Sequence, residues 1–261
     1  MESPDYRSWM PEWMMHAARA ATALSAGGLM LSTLADKSGH RQGLRTAFAA
    51  STLGWGTTLL LFTRWHDAFD YKGRRQLEQQ IVDGVSSYVM LPEGGVGLDV
   101  GCGSGALAIA CAKRNPHARM VGVDTWAPGY SYSQELCERN ALAEGVDDRC
   151  SFMEGDARRL PFPDETFDAV TSNYCYHNIA LANKQDLVLE TLRVLKKGGC
   201  FAIHDLMSPA RYGDLSELLD RIAQSGCQDI EVIDTTCGMF MTPQEASGLF
   251  LGGSTLLVGI K

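Results

Sequence analysis

From about residue 90 the chain alternates short apolar runs with longer stretches of helical spacing. "VGLDV" (96–100), "RMVGVD" (119–124), "CSFMEG" (150–155), "FDAVTSN" (167–173) and "CFAIHDL" (200–206) read as strands. Between them "GALAIACAKRN" (105–115), "SQELCERNALAEG" (133–145) and "KQDLVLETLRVLKKGG" (184–199) read as helices, the last two stopped by glycine. This alternation predicts an α/β fold, a mostly parallel sheet with helices on both faces and right-handed crossovers. The C-terminal end breaks the pattern. After a helix over 214–226, the strands 229–236 and 254–261 are separated by only a short helical turn, which suits antiparallel pairing at one edge.

The first 65 residues differ. Residues 20–35 and 46–63 carry no charge, and as helices they would be roughly 24 and 27 Å long. That approaches a bilayer core of about 30 Å. In a hairpin, Trp9, Trp13, Trp65 and Tyr71 share the side holding both chain ends. So do Arg7, Arg19, Arg64, Lys72, Arg74 and Arg75, against Lys37, Arg41 and Arg45 in the polar turn. This pattern predicts membrane contact through residues 20–63, with both ends on the cytoplasmic side. Ala50 and Gly54 would let the two helices pack closely. The alternative is a soluble helical pair covering the substrate side of the main domain, consistent with the many Ala, Gly, Ser and Thr residues. The expected organisation is a hydrophobic hairpin over 1–65, a connecting helix over 66–89 and the main domain over 90–261.

Composition narrows the function. A formal charge of -8 argues against a broad nucleic-acid surface. The eight cysteines form no CxxC pair and no zinc spacing, so no metal is expected and the thiols read as reduced and mostly buried. Glu2, Asp5 and Glu12 against Arg7 alone give the wrong charge for an export signal.

The chemistry concentrates in "GLDVGCGSGALAIA" (97–110). Glycines behind a strand allow a tight reversal and close approach of a ligand to the backbone at a helix N-terminus. Alone the motif suits a dinucleotide pyrophosphate, S-adenosylmethionine or close helix packing. Asp99, still on the strand, could accept from an ammonium and would repel a pyrophosphate. Asp124, ending the second strand, can accept from ribose hydroxyls in either nucleoside.

"LDVGCGSG", "VGVD", "GDARRLPFPDETFDAV" and "LKKGG", in this order and spacing, resemble the class I S-adenosylmethionine-dependent methyltransferases. The likeness is to their small-molecule branch, with ubiquinone/menaquinone- and sterol-type relatives, including bacterial members with an N-terminal hydrophobic hairpin. The resemblance covers about residues 90–206. It implies a Rossmann-like sheet of seven strands, the last antiparallel, with S-adenosylmethionine as cofactor and S-adenosylhomocysteine as product. It implies that Asp99, Gly101 and Gly103 line the methionine end, with Cys102 at a variable, small-filler position of the same cofactor-binding loop and Asn173 facing the same moiety. Asp124 would hold the ribose, Thr125 and Trp126 would lie near ribose and adenine, and Asp156 and Ala157 would contact adenine.

The acceptor is then expected to be a small molecule, lipid-like if the hairpin meets a membrane. Candidate catalytic side chains are His177 and Tyr176, in the loop after the fourth strand, with His177 suited to take a proton from a hydroxyl or thiol. His204 and Asp205 end the fifth strand at the ligand edge of such a sheet. An NAD-linked oxidoreductase and a membrane-tethered, non-catalytic S-adenosylmethionine-binding protein are the competing readings.

Overall fold

The computed structural model describes residues 3–10, 12–35, 42–127 and 131–261; Glu2, Lys37 and Arg41 lie outside them. The chain forms two compact units. One is Ser8–Glu78, and the other joins the N-terminal residues up to Arg7 with Gln79–Lys261.

In the first unit, α1 (Glu12–Ala35) and α2 (Gln42–Phe69) form a helical hairpin. Small residues make the seam. A Cβ on Gly28 would lie 2.4 Å from Cε1 of Phe48, and the hydroxyls of Ser25 and Ser51 meet at 2.8 Å. Ala50 and Gly54, expected there, are exposed instead. No described helix is long and apolar enough to cross a membrane. The membrane-spanning hairpin is therefore not supported. Lack of charge is not the same as hydrophobicity, and the frequent Ala, Gly, Ser and Thr residues dilute both stretches. Large apolar side chains nonetheless stay exposed on both helices, among them Leu24, Leu31, Leu53 and Leu60.

After α3 (Leu77–Ser86) comes the sheet: β1 (Val96–Val100), β2 (Arg119–Asp124), β3 (Cys150–Glu154), β4 (Phe167–Asn173), β5 (Leu195–Leu206), β6 (Gln228–Asp234) and β7 (Ser254–Ile260). The order is β3-β2-β1-β4-β5-β7-β6. The first five strands are parallel, and β7 runs antiparallel to both β5 and β6. This is the Rossmann-like, seven-stranded arrangement expected. The central strands β1 and β4 are covered on both faces; β1 is apolar but for Asp99, and in β4 the buried Thr171 and Ser172 hydroxyls donate to the Ala202 and Val100 carbonyls, each at 2.7 Å. Helices α4 (Ala106–Arg114), α5 (Gln134–Ala143), α6 (Lys184–Arg193) and α8 (Leu215–Gln224) join them, with short α7 (Pro209–Tyr212) and α9 (Pro243–Gly248).

One element ends early. Helix was expected to Gly199, but α6 stops at Arg193 and β5 begins at Leu195, paired with Phe167. Lys261 Nζ donates to the carbonyls of Leu192 and Leu195 at 2.8 and 2.9 Å, closing the helix end from the far end of β7.

The chain runs outward from β1 through β2 to β3, then returns to β4 on the other side of β1. In open sheets, ligands bind at the carboxyl ends of the strands flanking such a reversal. The loops after Val100 and Asn173 are therefore the place for a site.

Candidate active site

The loop after β1 is drawn tight by the end of β2. Gly101 and Cys102 N–H groups both donate to the Val123 carbonyl, at 2.8 and 3.1 Å. Asp124 accepts from the Gly103 N–H at 2.9 Å and from the Trp126 N–H at 2.8 Å. The Trp126 indole N–H returns to the Gly103 carbonyl at 2.9 Å. Asp124 thus shapes the glycine loop while staying half-exposed, with lone pairs left for a ligand. Gly101 has φ +74° and its face abuts Cys175, in the loop after β4. Cys102 is buried in the loop, and Thr125 is exposed beyond β2.

Asp99 lies beneath this loop, 1% exposed. Helix α4 starts behind Gly105, which has no side chain to cap it, and Asp99 Oδ2 substitutes by accepting from the Ala108 N–H at 3.1 Å. Oδ1 is buried without a partner among the described residues. Burial pushes this carboxyl up to about 8, opposed by the Ala108 N–H and assisted by Asp124. The folded state therefore holds the Asp99 proton more tightly than an unfolded chain does. The stabilisation is full below the ordinary aspartate range and is lost as pH rises through about 8. Asp99→Asn mimics the protonated acid and is expected to flatten the loss of thermal stability as pH rises from the ordinary aspartate range to about 8. Melting curves across that range with the wild-type slope retained would refute this.

Past β3, Asp156 is claimed by its neighbour. Its Oδ1 accepts from the Arg158 N–H at 2.9 Å, and its Oδ2 from the Arg158 Nη2 at 2.6 Å. These bonds hold the Asp156 carboxyl below the usual carboxylate range. Ala157 is buried in the core.

Across the reversal, β4 ends at Asn173, and a 3-10 turn over Tyr176–Asn178 follows. The two expected catalytic side chains part company here. Tyr176 is fully buried, its hydroxyl 2.6 Å from Thr191 Oγ1, and burial pushes the phenol up. It anchors the turn to α6 and is not available for catalysis. His177 points the other way. Its Nδ1 bonds to Asp205 Oδ1, and its backbone N–H donates to Asp205 Oδ2 at 2.8 Å. Asp205 also accepts from the Tyr212 hydroxyl at 2.6 Å and the Leu206 N–H at 2.8 Å. Burial pushes Asp205 up, but these donors outweigh it and hold the carboxyl below its usual range. A carboxylate only accepts, so in the neutral ring Nδ1 carries the proton and Nε2 presents a lone pair. Tyr212 was not anticipated; it lies seven residues beyond Asp205 on α7, and no local motif marks it.

Residues 98–203 match the family model described as a methyltransferase domain. This stretch of the chain is similar to a methyltransferase domain. Among curated relatives, the erythromycin 3''-O-methyltransferase of Saccharopolyspora erythraea is 35% identical over 135 residues, 52% of this chain and 42% of that protein. Demethylmenaquinone methyltransferase of Thermus thermophilus is 36% identical over 114 residues, 44% of this chain and 48% of that one. Geranyl diphosphate methyltransferase, solved with GPP and sinefungin, shares the fold with a TM-score of 0.57 at 19% identity, over 75% of this chain and 81% of that chain. The chain spans about half the length of the curated relatives it matches. The methyltransferase match includes the glycine loop, Asp124, Asp156 and the His177 turn, and it ends one residue before His204.

Proposed function

We propose that this protein transfers the methyl group of S-adenosylmethionine to a small, hydrophobic acceptor and releases S-adenosylhomocysteine. The observation that carries the reading is Asp99 Oδ1, a buried acid oxygen without a partner among the described residues, beneath the glycine turn at the strand reversal. A cationic amino group arriving there favours the ionised acid and pairs with this oxygen, directly or through water, whereas a pyrophosphate would keep the acid protonated and gain no partner from it. The family model and the relatives named as methyltransferases support it.

Asp99, Gly101, Cys102, Gly103 and Asn173 would hold the methionine end, Asp124 and Thr125 the ribose, and Trp126, Asp156 and Ala157 the adenine. Asp156 would do so while keeping Arg158 as a partner. When bound, the cofactor supplies a sulfonium methyl open to in-line attack. The chain's own contribution is to orient, to exclude water and to take a proton. His177 Nε2, freed by the Asp205 contact at Nδ1, accepts the proton of an acceptor hydroxyl. The same proposal places α1 and α2 against the cytoplasmic face of a membrane, lying on it rather than crossing. Their exposed apolar side chains support that contact.

Thermal shift with S-adenosylhomocysteine and NAD side by side tests the assignment. The first is expected to raise the melting temperature and the second to leave it unchanged. No response to millimolar S-adenosylhomocysteine, or the reverse ranking, would overturn it.

A further inference from the structure

Next to the His177–Asp205 pair runs a second polar chain that the reaction above does not use. His204 is fully buried. Its Nδ1 lies 2.8 Å from the Asn173 amide, at the Oδ1 position, and its Nε2 lies 3.0 Å from Thr235 Oγ1. Thr235 Oγ1 in turn lies 3.0 Å from the Ser254 carbonyl. The Tyr174 ring stands 4.6 Å from the imidazole, and Phe240 meets it edge-on at 5.5 Å. Burial in this box keeps the imidazole neutral, down to about 3, against the pull of Asp205.

A neutral imidazole has one N–H and one lone pair. The Ser254 carbonyl can only accept, so the single hydroxyl proton of Thr235 belongs on that contact. Otherwise two acceptor oxygens would face each other at 3.0 Å with no proton between them. Nε2 must then carry the ring proton and donate to Thr235. Nδ1 is left as an acceptor, and only the NH2 end of the Asn173 amide can satisfy it, by a half-turn that exchanges two ends of similar size.

We propose that His204 and Thr235 are positioning residues that pin the Asn173 amide with its NH2 inward and its carbonyl oxygen free at the carboxyl end of β4. The outer end of that amide has no hydrogen-bond partner among the described residues. Continuing the register of Asp99 opposite Thr171 brings Asn173 alongside Gly101. A free carbonyl there accepts from an N–H donor, whereas a free NH2 would oppose one. The relay therefore selects a ligand with a cationic amino group. Naming that group as the α-ammonium of S-adenosylmethionine rests on the function proposed above.

Two measurements on the full chain test it. Nitrogen NMR of histidine-labelled protein is expected to show a non-titrating imidazole protonated at Nε2 and bare at Nδ1. Calorimetry is expected to show Thr235→Val binding S-adenosylhomocysteine roughly 10- to 100-fold more weakly, with Thr235→Ser restoring the affinity. A bare Nε2, or wild-type affinity in the valine variant, overturns the proposal. If the wild-type protein binds no S-adenosylhomocysteine, the cofactor reading falls, and the imidazole tautomer alone still decides how Asn173 is held.

Discussion

His177→Ala is expected to slow methyl transfer by about 10²- to 10⁴-fold, with S-adenosylhomocysteine binding little changed. The imidazole is oriented at both its backbone N–H and its Nδ1 by one buried carboxylate, so its remaining nitrogen is presented in a single tautomer. Asp205→Asn should act in the same direction, because an amide no longer enforces that tautomer. Asp205 also receives Tyr212 and Leu206, so circular dichroism must accompany the kinetics to separate misfolding from lost catalysis. Single-turnover rates decide the matter. A His177→Ala protein with wild-type turnover would reduce the imidazole to a loop-shaping contact.

Gly101→Ala is expected to cost about 2–5 kcal/mol of stability and to abolish cofactor binding, combining a left-handed backbone with overpacking. The added Cβ would sit 2.1 Å from Cys175 Sγ and 2.5 Å from its Cβ, so no side-chain rotation relieves the contact. Gly198→Ala is the natural control. Its φ of +80° is similar, but nothing lies within 4 Å of the position a Cβ would take. Only the backbone term, about 1–2 kcal/mol, should appear there. Urea unfolding of both variants measures the difference. Equal losses would mean that the Cys175 contact contributes nothing.

The strands β1, β2 and β4 are legible to the residue, because each centres on a short apolar stretch closed by a turn former or a polar end. The end of α6 is not, since the group that closes it, Lys261, arrives from the other side of the fold. The charge-free stretches near the N-terminus misled in the opposite sense. They do form long helices, but counting charges overstates the hydrophobicity of sequences rich in Ala, Gly and Thr. At the site, the glycine loop and Asp124 announce themselves through spacing. Tyr176 and His177 are adjacent in sequence, and a string of residues cannot say which faces α6 and which faces Asp205. The relay from Asn173 to Ser254 joins four segments, and its proton count becomes visible only when they are brought together.

Four of the five tryptophans, Trp9, Trp13, Trp55 and Trp65, lie in the N-terminal unit, and the fifth, Trp126, rests on the Gly103 carbonyl. The sheet unit therefore contains a lone indole fluorophore, tethered to the very segment a nucleoside would disturb. The change in the protein's emission on adding a nucleoside, compared between wild type and Trp126→Phe to subtract the other four indoles, offers an intrinsic optical gauge of occupancy.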